Sequence, residues 1–361
     1  MDANAYEGNF IEISTQALEE NAKTVCAYVG VPVIGVVKLD GYGVTPAVAA
    51  RAWQKAGVTM FAVAESAEAL ALREAGITED ILLMSPVADA QSVQKLLDGG
   101  IILAVGDLTD AARYLQYSEN VRVHIKVDTG MGRFGIRWDD KKTLEAVYAQ
   151  AGLRIEGIFS HFASSFEKEY KQTKLQLARF MEAVQAVEQA GFQTGMRHIA
   201  NSCAALRFPQ THLDAVRVGS ALVGALPAAV PIKLQKAFAC KAQVVALKRL
   251  KKGDTMGYAS ICKAKKDMTV AVVAIGQSYG FGTIAVPEAT PVRNFVSYVR
   301  DVLRRYRQMP CVKVNGKALP MVGRLGSQYT LFDASGAEVQ PGDYVQIPIS
   351  ILHYQGARKY I

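Results

Sequence analysis

The chain has 361 residues, enough for one large domain with an ample core and a smaller second domain. Hydrophobic residues make up 50% of it and charged residues 20%, which excludes a disordered chain. The formal net charge of +8 suits an anionic ligand. The basic runs "LKRLKKGD" and "VRDVLRRYRQ" carry no aromatic platform or nucleic-acid motif, so nucleic acid is not expected as a partner.

The N-terminus and the cysteines indicate the compartment. No apolar run is long enough for a membrane helix, and "MDANAYEGNF" lacks the basic patch and apolar stretch of a secretory signal. We therefore expect a cytoplasmic protein with no membrane partner. Five cysteines without a C-x-x-C spacing argue against a disulfide framework or a zinc site, and no metal is expected.

Along the first two-thirds of the chain, short β-rich runs alternate with helical patterns. Eight such runs, each but the last followed by a helix or turn pattern, predict a closed (β/α)8 barrel of the TIM type rather than an open doubly wound sheet. The runs are Val33–Lys38, Val58–Val63, Ile81–Ser85, Ile101–Val105, Val121–Val127, Arg154–Ser160, Arg197–Ala200 and Leu213–Arg217.

From about Phe238 the pattern changes to strands and turns in succession, which predicts a mostly β C-terminal domain. Apolar residues at helical spacing over Phe295–Tyr306 predict one amphipathic helix inside it. The expected domains are therefore a barrel over residues 1–235 and a β-rich domain over residues 236–361.

Function in such a barrel lies at the carboxyl ends of the strands, so polar residues there are the candidates. Taken singly, a histidine at a strand end is usually structural and a lysine is usually a surface charge. Their coincidence on one rim makes a site the better interpretation. The candidates are Lys38 and Tyr42 after the first strand, Lys126 and Arg133 after the fifth, His161 after the sixth, Asn201 and Ser202 after the seventh, and Arg217, Gly219 and Ser220 at the eighth.

These residue types fit one cofactor chemistry. A lysine in a partly apolar site has a lowered pKa, and its neutral amine can form a Schiff base. Backbone N–H groups at Gly219 and Ser220, with the Ser202 hydroxyl, suit a phosphate. With His161 and Arg217 to contact a ring, the set predicts a pyridoxal phosphate site.

Seven motifs in order then resemble the alanine racemase family, the fold-type III pyridoxal phosphate enzymes, over nearly the whole chain. They are "VVKLDGYG", "KVDTGMGRFG", "SHFAS", "ANSCA", "VRVGSALVG", "KKGDTMGYAS" and "ALPMVGR". The resemblance implies an amino-acid racemase that interconverts L-alanine and D-alanine. Lys38 then corresponds to the lysine that binds the cofactor covalently, and Tyr258 to the second of two bases. In the family this tyrosine reaches the site from the other subunit, so a homodimer with shared active sites is expected.

The resemblance also implies roles for the remaining candidates. Arg217 corresponds to the arginine that faces the pyridine nitrogen, and His161 to a residue that supports the ring or that arginine. Arg133 corresponds to the residue that orients the substrate carboxylate, and Lys126 to a lysine that is carbamylated in many members. The positions that match cofactor and phosphate contacts are Tyr42, Asn201, Ser202, Gly219, Ser220 and Tyr360.

Departures from the family pattern fall on the substrate side. "GQSYGFG" replaces the family's "GYADG", and "GSQY" replaces "CMDQ", which places Ser327 at a substrate-binding position where a methionine is expected. The helix over Phe295–Tyr306 resembles an insertion. Alanine is therefore the default substrate, with serine or a larger amino acid as the alternative.

Two other classes of protein differ from a racemase in features that this sequence shows. A non-enzymatic pyridoxal phosphate carrier or regulator on the same barrel would be a single domain, unlike this chain. A decarboxylase of the same fold would carry an acidic residue where this chain has Arg217.

Overall fold

The structure, a computed structural model, describes residues 8–167, 170–257, 260, 262–282, 295, 299–300, 311–349 and 351–361. Tyr258 and nearly all of the helix predicted over Phe295–Tyr306 lie outside the described residues. The chain forms two compact units, Ser14–Ala237 and a second one that joins the segment ending at Ile13 to Phe238–Ile361.

The N-terminal segment is where these units differ from the predicted domains of residues 1–235 and 236–361. Strand β1 (Asn9–Ile13) pairs antiparallel with Phe238–Ala242, so it belongs to the β-rich unit rather than to the barrel. Its partner lies more than 200 residues away in the sequence, and local pattern carries no information about such a pairing.

The unit Ser14–Ala237 is a parallel barrel. Its strands follow the order β10-β2-β3-β4-β5-β6-β8-β9, and a parallel bridge between His198 and Ala215 joins the two ends of that order. The short β7 (Ile136–Arg137) pairs with β6 outside the ring. The ring strands are β2 (Val33–Val36), β3 (Met60–Val63), β4 (Asp80–Leu83), β5 (Ile102–Val105), β6 (Val121–Asp128), β8 (Leu153–Phe159), β9 (Met196–His198) and β10 (Val216–Val218).

Helices connect the strands, as parallel pairing requires. Side-chain caps begin several of them; Ser14 Oγ, for example, accepts from Ala17 N at 3.2 Å, and Gly30 ends the same helix at φ 66°. The elements assigned as helical are α1 (Thr15–Val29), α2 (Lys38–Tyr42), α3 (Pro46–Gln54), α4 (Ser66–Glu74), α5 (Ala90–Asp98), α6 (Leu108–Leu115), α7 (Lys141–Tyr148), α8 (Lys171–Gln189) and α9 (Ser202–Arg207).

The inside of the barrel has an apolar half and a polar half. Gly35 lies against Trp53 of α3, so its neighbours on β2 point inward. On that side the interior is filled by a buried apolar cluster of Ile34, Val36, Met60, Ala62, Leu82, Ile102 and Ala215. On β6 the alternating residues Arg122, His124 and Lys126 share one face, and the last two are buried.

The second unit contains a mostly antiparallel sheet of order β14-β17-β16-β15-β18-β11-β1-β19, in which β14 also pairs with β11, and a separate two-stranded sheet of β12 and β13. Its strands beyond β1 are β11 (Phe238–Leu250), β12 (Thr255–Met256), β13 (Cys262–Lys263), β14 (Met268–Val273), β15 (Cys311–Val314), β16 (Lys317–Val322), β17 (Thr330–Asp333), β18 (Tyr344–Ile347) and β19 (Ala357–Tyr360). The predicted fold class, a (β/α)8 barrel followed by a mostly β domain, is confirmed.

Among the residues that the structure describes, none of the helices combines the length and hydrophobicity needed to span a membrane.

Candidate active site

A left-handed turn places Lys38 at the barrel rim. Leu39, Asp40, Gly41 and Tyr42 all have φ between 55° and 64°. Each non-glycine residue in this region costs about 1–2 kcal/mol, so the surroundings must hold the turn. Glu68 Oε1 accepts from Leu39 N at 2.6 Å, and Thr45 N donates to Asp40 O at 3.0 Å.

Gly41 is required in this turn by space as well as by φ. A Cβ there would lie 2.9 Å from Pro46 N, too close for a non-bonded contact. The turn brings both Lys38 and Tyr42 to one cavity. The sequence places two glycines here, Gly41 and Gly43, and the structure shows that the turn is left-handed.

The cavity at the carboxyl ends of the strands has a volume of about 210 Å³. Eight of the predicted residues line it, namely Lys38, Tyr42, His161, Asn201, Ser202, Arg217, Gly219 and Ser220. Residues missed by the sequence reasoning also line it, namely Val36, Met84, Ser165, Phe166, Cys203 and Pro227. Position at a strand end was the available signal for Val36 and Met84. Cys203 lies in the first turn of α9, and Ser165, Phe166 and Pro227 lie on connecting loops, where their neighbours in space cannot be deduced from the sequence.

The Lys38 amine lies in surroundings that favour its neutral form. Burial lowers its pKa, and the positive charges of Arg133 and Arg217 lower it further, while Glu68 acts in the opposite direction. A larger fraction of neutral amine is what a nucleophilic lysine needs.

Arg217 is the buried cation of the site. It is 3% exposed, and its Nη2 donates to Ser160 O at 2.6 Å while its Nη1 donates to His198 O at 3.0 Å. Burial lowers its pKa to about 9, which leaves the guanidinium charged at neutral pH. The guanidinium also lies over the Phe159 ring, 5.3 Å from its centroid.

Two histidines, His161 and His198, contact this arginine, and His124 contacts His198. Arg217 Nη1 lies 2.8 Å from His198 Nδ1, and His198 Nε2 lies 2.8 Å from His124 Nδ1. Since a guanidinium only donates, His198 Nδ1 accepts and its Nε2–H donates to His124. Burial and the charge of Arg217 hold the pKa values of His161 and His198 well below the ordinary range, so both rings are neutral.

Opposite Arg217, hydroxyl and backbone N–H groups converge. Ser202 Oγ accepts from Gly219 N at 3.1 Å, and the Ser220 N–H bonds the Tyr42 hydroxyl. Burial raises the Tyr42 pKa to about 12, so the phenol stays protonated. Asn201 caps α9 through Ala204 N at 3.1 Å.

Lys126 is a second perturbed amine. It is 7% exposed, and its Nζ donates to Met84 O at 2.7 Å. Burial, followed by the charges of Arg217 and Arg133, lowers its pKa to about 7. Arg133 is exposed on the loop after β6 and does not line the 210 Å³ cavity, but its charge acts on Lys38, Lys126 and His161.

In the β-rich unit, the two segments that depart from the family pattern contact each other. Ser278 N and Ser278 Oγ both donate to Ser327 O, at 3.0 and 2.7 Å. Tyr360 lies on β19, paired with Ile13 of β1. The contributions of Ser327, Tyr360 and Tyr258 to the site stay predictions.

Both units of the chain match models of known protein families. Residues 13–227 match the family model "Alanine racemase, N-terminal domain", and residues 237–351 match "Alanine racemase, C-terminal domain". The fold and the site thus define a known class of protein, in which a barrel with a lysine at its rim is followed by a β-rich unit. The chain belongs to the alanine racemase family, which confirms the predicted family and enzyme class.

Individual relatives support this membership. An alanine racemase of Thermobifida fusca is 36% identical over 306 residues, covering 81% of this chain and 76% of the relative. One of Desulforamulus reducens is 35% identical over 282 residues, covering 75% and 76%. The crystal structure of alanine racemase from E. faecalis has a TM-score of 0.85 at 27% identity, covering 100% of both chains.

Proposed function

We propose that this chain is a pyridoxal phosphate-dependent amino-acid racemase that interconverts L-alanine and D-alanine by default, with Lys38 and Tyr258 as its two bases. One observation carries the proposal: an amine of lowered pKa and a buried guanidinium line a single cavity with a cluster of hydroxyl and N–H donors. The relatives named alanine racemases agree with it.

The residues present fit pyridoxal phosphate. Lys38 supplies the amine, the Tyr42 and Ser202 hydroxyls and the Ser220 N–H suit the phosphate, and Arg217 suits the ring nitrogen. Tyr42 lies so close to Gly219 that a side chain at position 219 would displace it, so a glycine is required there for Tyr42 to keep its place in the cavity. When bound, the cofactor withdraws electrons from the α-carbon of the amino acid and weakens its C–H bond.

The side chains carry out the proton transfers. Lys38 takes or returns the α-proton on one face of the substrate, and Tyr258 does so on the other, since inversion needs a base on each face. Arg217 would donate a hydrogen bond to the ring nitrogen of a bound cofactor without giving up its proton. The ring would then withdraw electrons less strongly, which would disfavour transamination.

Two further residues have roles in the proposed site: Arg133 binds the substrate, and Lys126 changes the charge of the site. Arg133 binds the substrate carboxylate from the loop after β6. Lys126, whose pKa of about 7 leaves much of it neutral, reacts through its neutral amine with carbon dioxide. An N–C bond forms and the amine releases a proton, which would leave the negative charge of a carbamate near Arg217 and Arg133.

A homodimer completes the site. Four apolar side chains on the loops after β2, β6 and β8 are 40–53% exposed, namely Leu39, Met131, Phe134 and Phe166. Such a concentration at a polar site is typical of a protein interface. We propose that a second copy covers this rim and supplies Tyr258.

Serine, or a larger amino acid, is the alternative substrate. The joined segments around Ser278 and Ser327 carry neutral polar residues where family members have acids, a methionine and a tyrosine. A changed substrate entrance would change which side chains are admitted.

Exchange of the α-proton in deuterated water tests these assignments across a panel of amino acids. We expect NMR to show exchange for alanine, and polarimetry to show racemisation. Lys38→Ala should abolish both and the aldimine absorbance band, whereas Tyr258→Phe should abolish racemisation but keep the band. Absence of that band after pyridoxal phosphate is added would overturn the proposal, and exchange for serine but not alanine would overturn the default substrate.

A further inference from the structure

Gln176 is a buried amide in the middle of α8. Its side chain is 0% exposed, on the face of the helix that also buries Phe180, Ala183 and Val187. An amide at a buried position is costly unless its donors and its acceptor are all paired.

All of its groups are paired, and each partner lies on a loop at the candidate site. Nε2 donates to Thr129 Oγ1 at 3.3 Å and to His161 O at 3.2 Å, and Oε1 accepts from Ala163 N at 2.9 Å. Because a backbone N–H can only donate, the Ala163 contact determines which end of the amide is the oxygen.

The bonds continue to Arg217. Thr129 Oγ1 lies 2.9 Å from Ser160 Oγ, and Ser160 O accepts from Arg217 Nη2 at 2.6 Å. Thr129, Ser160 and Gln176 are each at most 1% exposed, and we call these three residues the Gln176 network. Arg179, one turn further along α8, binds Thr129 O at 3.1 Å.

The Gln176 network connects the two loops whose relative position the proposed reaction depends on. The loop after β6 contains Thr129 and carries Arg133. The loop after β8 contains Ser160 and carries His161, whose Nδ1 lies 3.3 Å from Arg217 Nη2. We infer that Gln176 is a positioning residue that holds the substrate-carboxylate loop in register with the His161–Arg217 pair; this inference rests on the proposed racemase function.

Gln176→Met tests it, because methionine keeps the length and removes every hydrogen bond. Gln185→Met is the matched control, an exposed glutamine on the same helix. We expect Gln176→Met to lower kcat per bound cofactor on the order of 10²-fold, the cost of a misplacement near 1 Å. We also expect a weaker affinity for pyridoxal phosphate, measured by absorbance titration well below the Tm of each variant.

Gln176→Glu adds a second measurement, the pH dependence of activity relative to wild type, which a general loss of stability would not change. When protonated, the carboxyl can donate to His161 O and accept from Ala163 N, as glutamine does; when ionised, it can only accept. Burial raises the pKa of such a carboxyl, and the nearby charges of Arg179 and Arg217 oppose this rise, so activity is measured over the whole pH range in which the variant stays folded. The activity of Gln176→Glu relative to wild type should therefore fall as pH rises, while the Gln176→Met ratio stays constant.

The inference is overturned if Gln176→Met agrees with Gln185→Met in kcat and cofactor affinity within about twofold, the scatter of neutral surface changes. A Gln176→Glu variant as active as wild type at every pH would also overturn it. If Gln176→Met does not fold, Thr129→Val replaces it, with losses of the same kind expected. Cofactor affinity is measured without turnover, so it tests the inference even if the wild-type protein exchanges no α-proton. Absence of that exchange would instead defeat the proposed function.

Discussion

Gly219→Ala isolates the contact between Tyr42 and the phosphate side of the site. A Cβ at position 219 would lie 2.6 Å from the Tyr42 hydroxyl oxygen and closer still to the ring. The ring is partly buried and cannot swing into solvent without breaking the hydrogen bond that its hydroxyl accepts from Ser220 N. We therefore expect the added methyl group to displace Tyr42.

The size of the effect follows from this overlap. Overpacking by a methyl group in a rigid surrounding typically costs about 1–3 kcal/mol. If the whole cost appears in the binding of pyridoxal phosphate, its dissociation constant rises about 5- to 150-fold. Absorbance titration of the apoprotein measures this constant, and thermal unfolding shows how much of the cost affects the fold.

A double-mutant cycle identifies Tyr42 as the cause. In a Tyr42→Ala background the space beside position 219 is open, so Gly219→Ala should add little to the loss already caused by Tyr42→Ala. Equal costs of Gly219→Ala in both backgrounds would refute the reasoning, because the methyl group would then be acting on the backbone or on the cofactor directly.

Other predictions concern the amines, the barrel interior and the interface. Lys126→Met should raise Tm most at pH 6 in carbonate-free buffer. Below about pH 7 the Lys126 amine is charged in both the folded and the unfolded protein, so the free-energy cost of burying its charge is fully present. This cost disappears as the pH rises toward the ordinary lysine pKa of 10.5. A gain in Tm that increases with pH would contradict this sign. Bicarbonate should stabilise wild type but not Lys126→Met if the carbamate forms, as thermal melts would show. Gly157→Ala should lower the free energy of unfolding by about 1–3 kcal/mol in urea denaturation, since its Cβ would lie 2.7 Å from the His124 ring and 2.8 Å from Met196 O. Phe166→Asp should shift the protein toward monomer in analytical ultracentrifugation and reduce racemisation, and an unchanged dimer would exclude this loop from the interface.

Much of the fold is predictable from local pattern. The eight β-rich runs overlap the eight ring strands, because strands buried on both faces are continuous apolar runs between turn residues. Strand β1, "NFIEI", is the exception, because local pattern does not indicate which of the two units it joins. Its burial depends on a distant partner, Phe238–Ala242, that no local signal identifies.

The candidate site is predictable where the topology alone determines position. Lys38, His161 and Arg217 each follow or end a strand, and a parallel barrel brings all such ends to one rim. Gln176 comes from the middle of a helix, 15 residues after His161 in sequence. Its only signal is a polar residue on the helix face that also carries Phe180, Ala183 and Val187.

The sequence by itself determined the order of the elements, the rim on which the polar residues gather and the family, because these depend on local periodicity and on motifs. Only the tertiary structure decided the left-handed turn after β2, the pKa values of Lys38 and Lys126, and the hydrogen bonds that join the loop after β6 to the loop after β8. These properties arise from groups distant in sequence that share a small volume from which water is largely excluded, where burial and neighbouring charges act strongly.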